Sequence, residues 1–265
     1  MRTLILSGGI RHDFADNAAA LAGQLAMDGF DSDIETDIEA GLARLEGGGY
    51  ALLTVMALRW RMEGNPKYAP HREEWAFSLS PEGRARLGGF VRGGGGLFGL
   101  HTACLCFDDW AEWRDILGGV WIWGRSWHPP LGPVSVARTA EDHPLTAGLA
   151  GFDFVDEVYS GLSLADGVRP LLEARAGKGG PAEPVLWTHR YGRGRVVFDA
   201  LGHDRASIEH ETHAEIVRRA AFWAAGGRSG KDDARSLRGS GWDGDLEEMR
   251  AASPLPDEKS PDSNR

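Results

Sequence analysis

Several things are scarce in this chain of 265 residues, and each scarcity excludes a class of protein. There are only two cysteines, Cys104 and Cys106, one residue apart. That spacing is too short for an ordinary disulfide, so a stapled secreted scaffold is excluded and both read as core-side thiols. No apolar run approaches the roughly 20 residues of a spanning helix. The apolar stretch before Gly8-Gly9 is too short for a signal peptide and suits a first strand. The expectation is a cytoplasmic protein that does not touch a membrane. Net charge is −10 and no segment carries a basic stripe, which excludes a nucleic-acid surface. No internal repeat is visible, and no His-Glu-x-x-His spacing marks a helical zinc site.

What is present is a full core and many tryptophans. A hydrophobic share of 42% can fill one large domain, residues 1–227, with a tail beyond it. From Gly226 onward Gly, Ser, Asp, Arg and Pro dominate, so residues 228–265 read as a disordered acidic and polar tail. Of ten Trp, seven lie between Trp60 and Trp127. An indole face suits the C–H face of a sugar ring, and it also suits a core or a homodimer interface.

Hydrophobic periodicity alternates strand and helix. Residues 3–7 read as a strand, 16–27 as a helix, 31–35 as a strand, 38–45 as a helix and 50–55 as a strand. This βαβαβ order points to an α/β fold, a doubly wound and mostly parallel sheet in three layers. Residues 57–79 read as an irregular insertion. Ser80-Pro81-Glu82 then opens a helix running to Arg92, with a hydroxyl cap, a first-turn proline and an acid facing the dipole. An amphipathic helix follows at 109–117. Four apolar β segments come next, at 134–137, 170–174, 184–189 and 195–200, the last two joined through Gly192-Arg193-Gly194. A helix over 211–225 closes the pattern.

The chemistry-bearing residues sit where strands end. Gly96-Leu97-Phe98-Gly99-Leu100 reads as a buried strand turning sharply at His101, the geometry that presents a nucleophile in α/β hydrolases. Here the presented group is an imidazole, which moves protons or holds a metal but makes a poor acyl-enzyme. His203 follows the 195–200 strand in the same way. His12 and Asp13 follow the first strand and would face the same edge, unless Asp13 caps the next helix. Trp127-His128-Pro129 reads as a pocket rim. Asp156-Glu157-x-Tyr159 places at least one carboxylate inward whichever way the backbone alternates. His101, His203 and Glu157 are thus the candidate acid–base groups, and His12, Asp13, Trp127, His128 and Tyr159 the candidate substrate contacts. If a divalent metal is held, His101, His128 and His203 with an acid are the expected ligands.

These motifs carry a resemblance. The run Gly94-Gly95-Gly96-Leu97-Phe98-Gly99-Leu100-His101, Trp127-His128-Pro129, Asp142-His143-Pro144-Leu145-Thr146, Asp156-Glu157-x-Tyr159, Leu186-Trp187-Thr188-His189 and Leu201-Gly202-His203 together resemble the ThuA-like family over about residues 1–227. These are trehalose-utilisation proteins with a class I glutamine amidotransferase-like, flavodoxin-like fold. The resemblance implies catabolism of disaccharides or glycosides through 3-keto sugars. The substrate would be a small sugar or keto-sugar, processed by elimination, hydrolysis or isomerisation. The 57–79 insertion and the Trp-rich 121–127 segment depart from trehalose-pathway relatives. Two other readings stand beside the enzyme: a carbohydrate-binding or subunit module without turnover, and an amidotransferase or related hydrolase. The second lacks its thiol, since both cysteines fall beyond the turn.

Overall fold

The computed structural model describes residues 1–177 and 179–227, which belong to one compact unit, Met1–Gly227. The expected tail at 228–265 lies outside the described residues. The chain begins with strand β1, Arg2–Gly9, and helix α1, Phe14–Met27, followed by β2, Asp31–Glu35, and α2, Ile38–Arg44. Asp13 and Asp37 cap the two helices, each accepting a backbone N–H three residues on, which explains where both begin. Strand β3, Tyr50–Leu58, runs three residues past the expected end. Its last residues, Met56, Ala57 and Leu58, stay in register with Ser7, Gly8 and Gly9 of β1.

The segment at 57–79 is less irregular than expected. It carries a 3₁₀ turn, Pro66–His71, and a single helical turn, α3, Arg72–Trp75. Trp60 and Met62 within it are fully buried, so this segment covers the core. Helix α4, Pro81–Arg92, is capped as expected by Ser80, whose Oγ accepts the Gly83 N–H at 2.9 Å. Strand β4, Gly96–Leu100, then breaks into a 3₁₀ turn, His101–Leu105. Helix α5, Glu112–Leu117, starts three residues later than expected, because Asp108 and Asp109 are drawn off to Arg61 and Arg84.

The remaining strands are β5, Gly119–Val120; β6, Gly132–Arg138; β7, Phe152–Asp156; β8, Ser163–Leu164; β9, Arg169–Ala176; β10, Glu183–Tyr191; and β11, Gly194–Asp199. A short α6, Arg205–Ile208, and α7, Glu211–Ala224, follow.

Nine strands form one mixed sheet in the order β2-β1-β3-β4-β11-β10-β9-β6-β7. The β2-β1-β3-β4-β11 part is parallel, and from β11 outward to β7 the pairing is antiparallel. Leu4, Ile5 and Leu6 of β1 and Leu52, Leu53 and Val55 of β3 have no exposed surface. Consecutive strand residues point to opposite faces, so unbroken burial means both faces of this half are covered. One cover consists of α1 packed with α6 and α7, another of α2 packed with α4. Gly99 is required by this packing. A Cβ there would sit 2.6 Å from Leu117 and 3.1 Å from Phe198, well inside contact distance.

Candidate active site

Parallel neighbours send their following residues to the same edge. β4 pairs with β11 so that Leu100 lies opposite Asp199, and their next residues, His101 and the 200–203 loop, emerge side by side. The loop after β1 brings His12 to that edge too. The imidazole of His12 lies 5.1 Å from that of His101 and 4.7 Å from that of His203, centroid to centroid, and the last two are 5.5 Å apart.

His101 is held in an unusual backbone state. Its φ is +47°, a left-handed conformation that a residue with a Cβ adopts only where the surroundings enforce it. Two contacts do so from the ring. Nδ1 lies 2.8 Å from the Ala200 carbonyl oxygen and Nε2 lies 2.9 Å from the Tyr159 hydroxyl. A carbonyl can only accept, so Nδ1 carries the proton. Nε2 then bears a lone pair that receives the Tyr159 O–H. The ionisation tendencies agree. Burial first, then the neighbouring His12, pushes the His101 imidazole well below its usual range, so it stays neutral. Burial likewise pushes the Tyr159 phenol well above 10, so its proton stays on.

Glu157 is the hub. Its Oε2 lies 3.4 Å from His203 Nδ1 and 3.7 Å from His101 Nε2, and its Oε1 lies 3.4 Å from His128 Nδ1. Burial works to raise this carboxyl, but the His203 contact and the surrounding imidazoles outweigh it and draw it down. The same Glu157 contact, against the opposing effect of burial, lifts His203 above the ordinary imidazole value. His12 behaves oppositely. Burial and the nearby His203 push it down to about 4. Near neutrality the cluster therefore holds one carboxylate, two neutral imidazoles and one imidazole inclined to keep its proton.

Behind this pocket lies a second polar layer that sequence reasoning did not assign. Asp156 is fully buried and accepts from four donors: the backbone N–H groups of Glu157 at 2.7 Å, Gly202 at 2.9 Å and His203 at 3.3 Å, and the Ser207 hydroxyl. It thus ties the Glu157 backbone to the His203 loop. His213 continues the layer, with Nε2 3.1 Å from Asp199 and Nδ1 2.7 Å from the Ser207 carbonyl. Asn17 fixes the same loop by donating to the His203 carbonyl at 3.0 Å. Because β7 ends at Asp156, both acids at 156 and 157 turn inward, where alternation alone predicted at least one.

Other expected residues fall differently. Asp13 is exposed and caps α1, so it does not join the cluster. Trp127 is 54% exposed and contributes a backbone bridge to Ser160 rather than an aromatic wall. Trp121 supplies that wall, with its ring 5.3 Å from Tyr159 and 6.1 Å from His128. It also lines a cavity of about 760 Å³ together with Trp110, Trp113, Trp123 and Arg61. Its place in the Trp-rich 121–127 segment was the one available signal. His128 reaches Glu157 from the rim, but its Nδ1 is engaged by the Pro129 carbonyl at 2.9 Å. The donor atoms that lie within 4.8 Å of one another belong to His12, His101, Glu157 and His203. Among the expected metal ligands, His128 thus gives way to His12, because no ligand atom of His128 belongs to this close group.

Fold and site together define an α/β protein whose pocket is built from imidazoles and one carboxylate at strand tips. The chain belongs to the ThuA family, described as trehalose utilisation, whose model matches residues 2–224. Among solved structures it is similar to a ThuA-like protein from Parabacteroides merdae, with 22% identity, a TM-score of 0.67, and coverage of 87% of this chain and 92% of that one. A ThuA-like protein from Bacteroides uniformis gives 20% identity and a TM-score of 0.60, covering 84% of this chain and 91% of that one. A cytoplasmic protein from Salmonella typhimurium gives 15% and 0.58, covering 84% and 99%. No curated protein matches at a significant level. Among the described residues no helix is long and apolar enough to cross a membrane.

Proposed function

We propose that the chain is a cytoplasmic enzyme of carbohydrate catabolism that acts on a sugar or 3-keto glycoside by imidazole–carboxylate acid–base chemistry. The observation that carries this reading is the convergence of His101, His203 and Glu157 in one partly buried pocket, with the neutral His101 ring bringing Nε2 3.7 Å from the Glu157 carboxylate that also meets His203. A 3-keto group acidifies the neighbouring C2–H. Once the Tyr159 hydroxyl turns from it to the substrate, His101 Nε2 is the base that takes that proton, the electron pair moves toward the C3 oxygen, and elimination expels the C1 oxygen substituent. The proton held between Glu157 and His203 goes to the departing oxygen. Tyr159 aligns the base, His12 and His128 face the sugar hydroxyls, and Trp121 offers a ring face. The architecture supports a site at this edge. The parallel strands run β2-β1-β3-β4-β11, with β11 in the fifth place of the 2-1-3-4-5 pattern of a doubly wound, flavodoxin-like sheet, and His12 follows β1, where that order reverses.

The test is consumption of a panel of 3-keto glycosides by purified protein. His101→Ala and Glu157→Gln should each lower kcat by about 10²–10⁴. Equal turnover in the variants would overturn the reading. A module that binds sugar without turnover is favoured by the Trp121-lined cavity. It predicts instead that His101→Ala keeps sugar affinity and that no substrate is consumed.

A further inference from the structure

Not every donor atom in the pocket is satisfied by the protein. The two ring nitrogens of His101 are both engaged, by Ala200 and Tyr159. His12 is different. Neither of its buried ring nitrogens makes a well-formed hydrogen bond, the Ile10 backbone approaching only with poor geometry. His203 Nδ1 is also buried and without a well-formed hydrogen bond, and it faces Glu157 Oε2 at 3.4 Å. The Glu157 carboxylate, buried at 8% exposure, is met by the imidazoles of His101, His128 and His203. Buried polar atoms left unpaired are costly and rare, so a pocket with three such nitrogens around one carboxylate is built for something that supplies the missing partner.

We propose that His12, His203 and Glu157 bind one divalent first-row transition-metal ion, with His101 Nε2 beside it. The donor set decides the class of ion. Imidazole nitrogens with a single carboxylate favour Zn²⁺, Mn²⁺, Co²⁺ or Fe²⁺ over Mg²⁺ and Ca²⁺, which prefer all-oxygen shells. The spacing fits. Donors about 2.0–2.1 Å from a tetrahedral ion lie roughly 3.4 Å apart, and the present atoms lie within 4.8 Å of one another, so closure needs side-chain shifts of an ångström or so. The second layer is also in place. Asp156 and Asn17 fix the backbone that carries His203 and Glu157, as outer hydrogen bonds do around metal ligands. His101 stays outside the ligand set, since its Nε2 already accepts the Tyr159 hydroxyl. The ion takes the position of the proton shared by Glu157 and His203 and supplies the electrophile for a sugar carbonyl, and the proton that His101 takes from C2 then passes to the departing oxygen. This goes beyond the acid–base reading, because metal binding is measured with no sugar present.

The experiment is calorimetric titration of chelator-treated full-length protein with ZnCl₂, MnCl₂ and MgCl₂, beside the visible absorption of the Co²⁺ form. The expected result is one transition-metal ion per chain, weak or no Mg²⁺ binding, and a Co²⁺ spectrum. His12→Ala, His203→Ala and Glu157→Gln should each weaken binding by 100-fold or more, with His128→Ala close to wild type. Circular dichroism and unchanged Tm of the chelator-treated variants separate ligand loss from misfolding. Less than stoichiometric binding, or binding indifferent to His12 and Glu157, overturns the proposal. Sugar turnover insensitive to chelator in a metal-free protein leaves the acid–base reading standing and removes this one. Stoichiometric metal without turnover does the reverse.

Discussion

Replacing Asp156 with asparagine tests the inner polar layer at a single position. The carboxylate serves four donors with two oxygens: Oδ1 takes the Glu157 and His203 N–H groups, and Oδ2 takes the Gly202 N–H and the Ser207 hydroxyl. An asparagine keeps one oxygen. If that oxygen stays on the first pair, its NH₂ group faces the Gly202 N–H, while the Ser207 hydroxyl can turn and accept. One buried backbone donor is orphaned, at about 1–3 kcal/mol, and the remaining bonds lose the assistance of a charge, worth about a further 1 kcal/mol. The sum is about 2–4 kcal/mol, or roughly a 30- to 1,000-fold fall in the folding equilibrium. Urea denaturation of Asp156→Asn against wild type reads this directly, with Val155→Thr at the exposed neighbouring position as a control within about 0.5 kcal/mol. Because the same donors hold the Glu157 and His203 backbones, activity measured well below the midpoint should fall too. A variant within 0.5 kcal/mol of wild type would show that Asp156 does not organise the pocket.

Three further outcomes follow from the same geometry. Tyr159→Phe leaves the His101 Nε2 lone pair without its donor, which should cost about 1–2 kcal/mol in stability and slow turnover of any sugar substrate, both measurable on one preparation. His213 is buried against Asp199, and although burial opposes it, that carboxylate holds the imidazole above its usual value. A folded-state value above the unfolded one stabilises fully below pH 6.5 and is lost as pH rises through the raised value, so Tm should decline above pH 6.5 and His213→Gln should flatten that limb. Burial raises both thiols, Cys106 to about 12 and Cys104 well above its usual value, so iodoacetamide at pH 8 should label neither in native protein and both in denaturant. Rapid native labelling would reopen a thiol mechanism.

The strand-tip argument found the imidazoles because it needs only local sequence: a buried run, then a polar residue at a parallel edge. His12, His101 and His203 satisfy it, and they come together. It could not tell Asp13 from a helix cap, since an acid before an amphipathic run fits both roles. The outer strands were harder to see. β7 alternates Phe152 and Phe154 with Asp153 and Val155, and its last residue, Asp156, is a buried acid most of whose partners lie some fifty residues away, in the loop after β11 and in α6. No local pattern reveals such partners. β5 and β8 are two residues each, too short for any period to register. Trp121 and Trp127 illustrate the same limit. Both are aromatic residues of one segment, and it takes tertiary backbone bonds, Trp127 with Ser160 and Trp121 with Cys104, to place one ring against Tyr159 and leave the other exposed.

The pairing of Leu100 with Asp199 brings together residues about a hundred positions apart, and it is this junction that sets His101 against Ala200. During synthesis the ribosome must release α7 before His213 can lock Asp199, so no nascent fragment ending earlier holds a finished pocket. Whatever reactive sugar or ion the pocket accepts, a half-made chain has no place to take it, and truncation from the carboxyl end should abolish chemistry well before it abolishes the β1–β3 core.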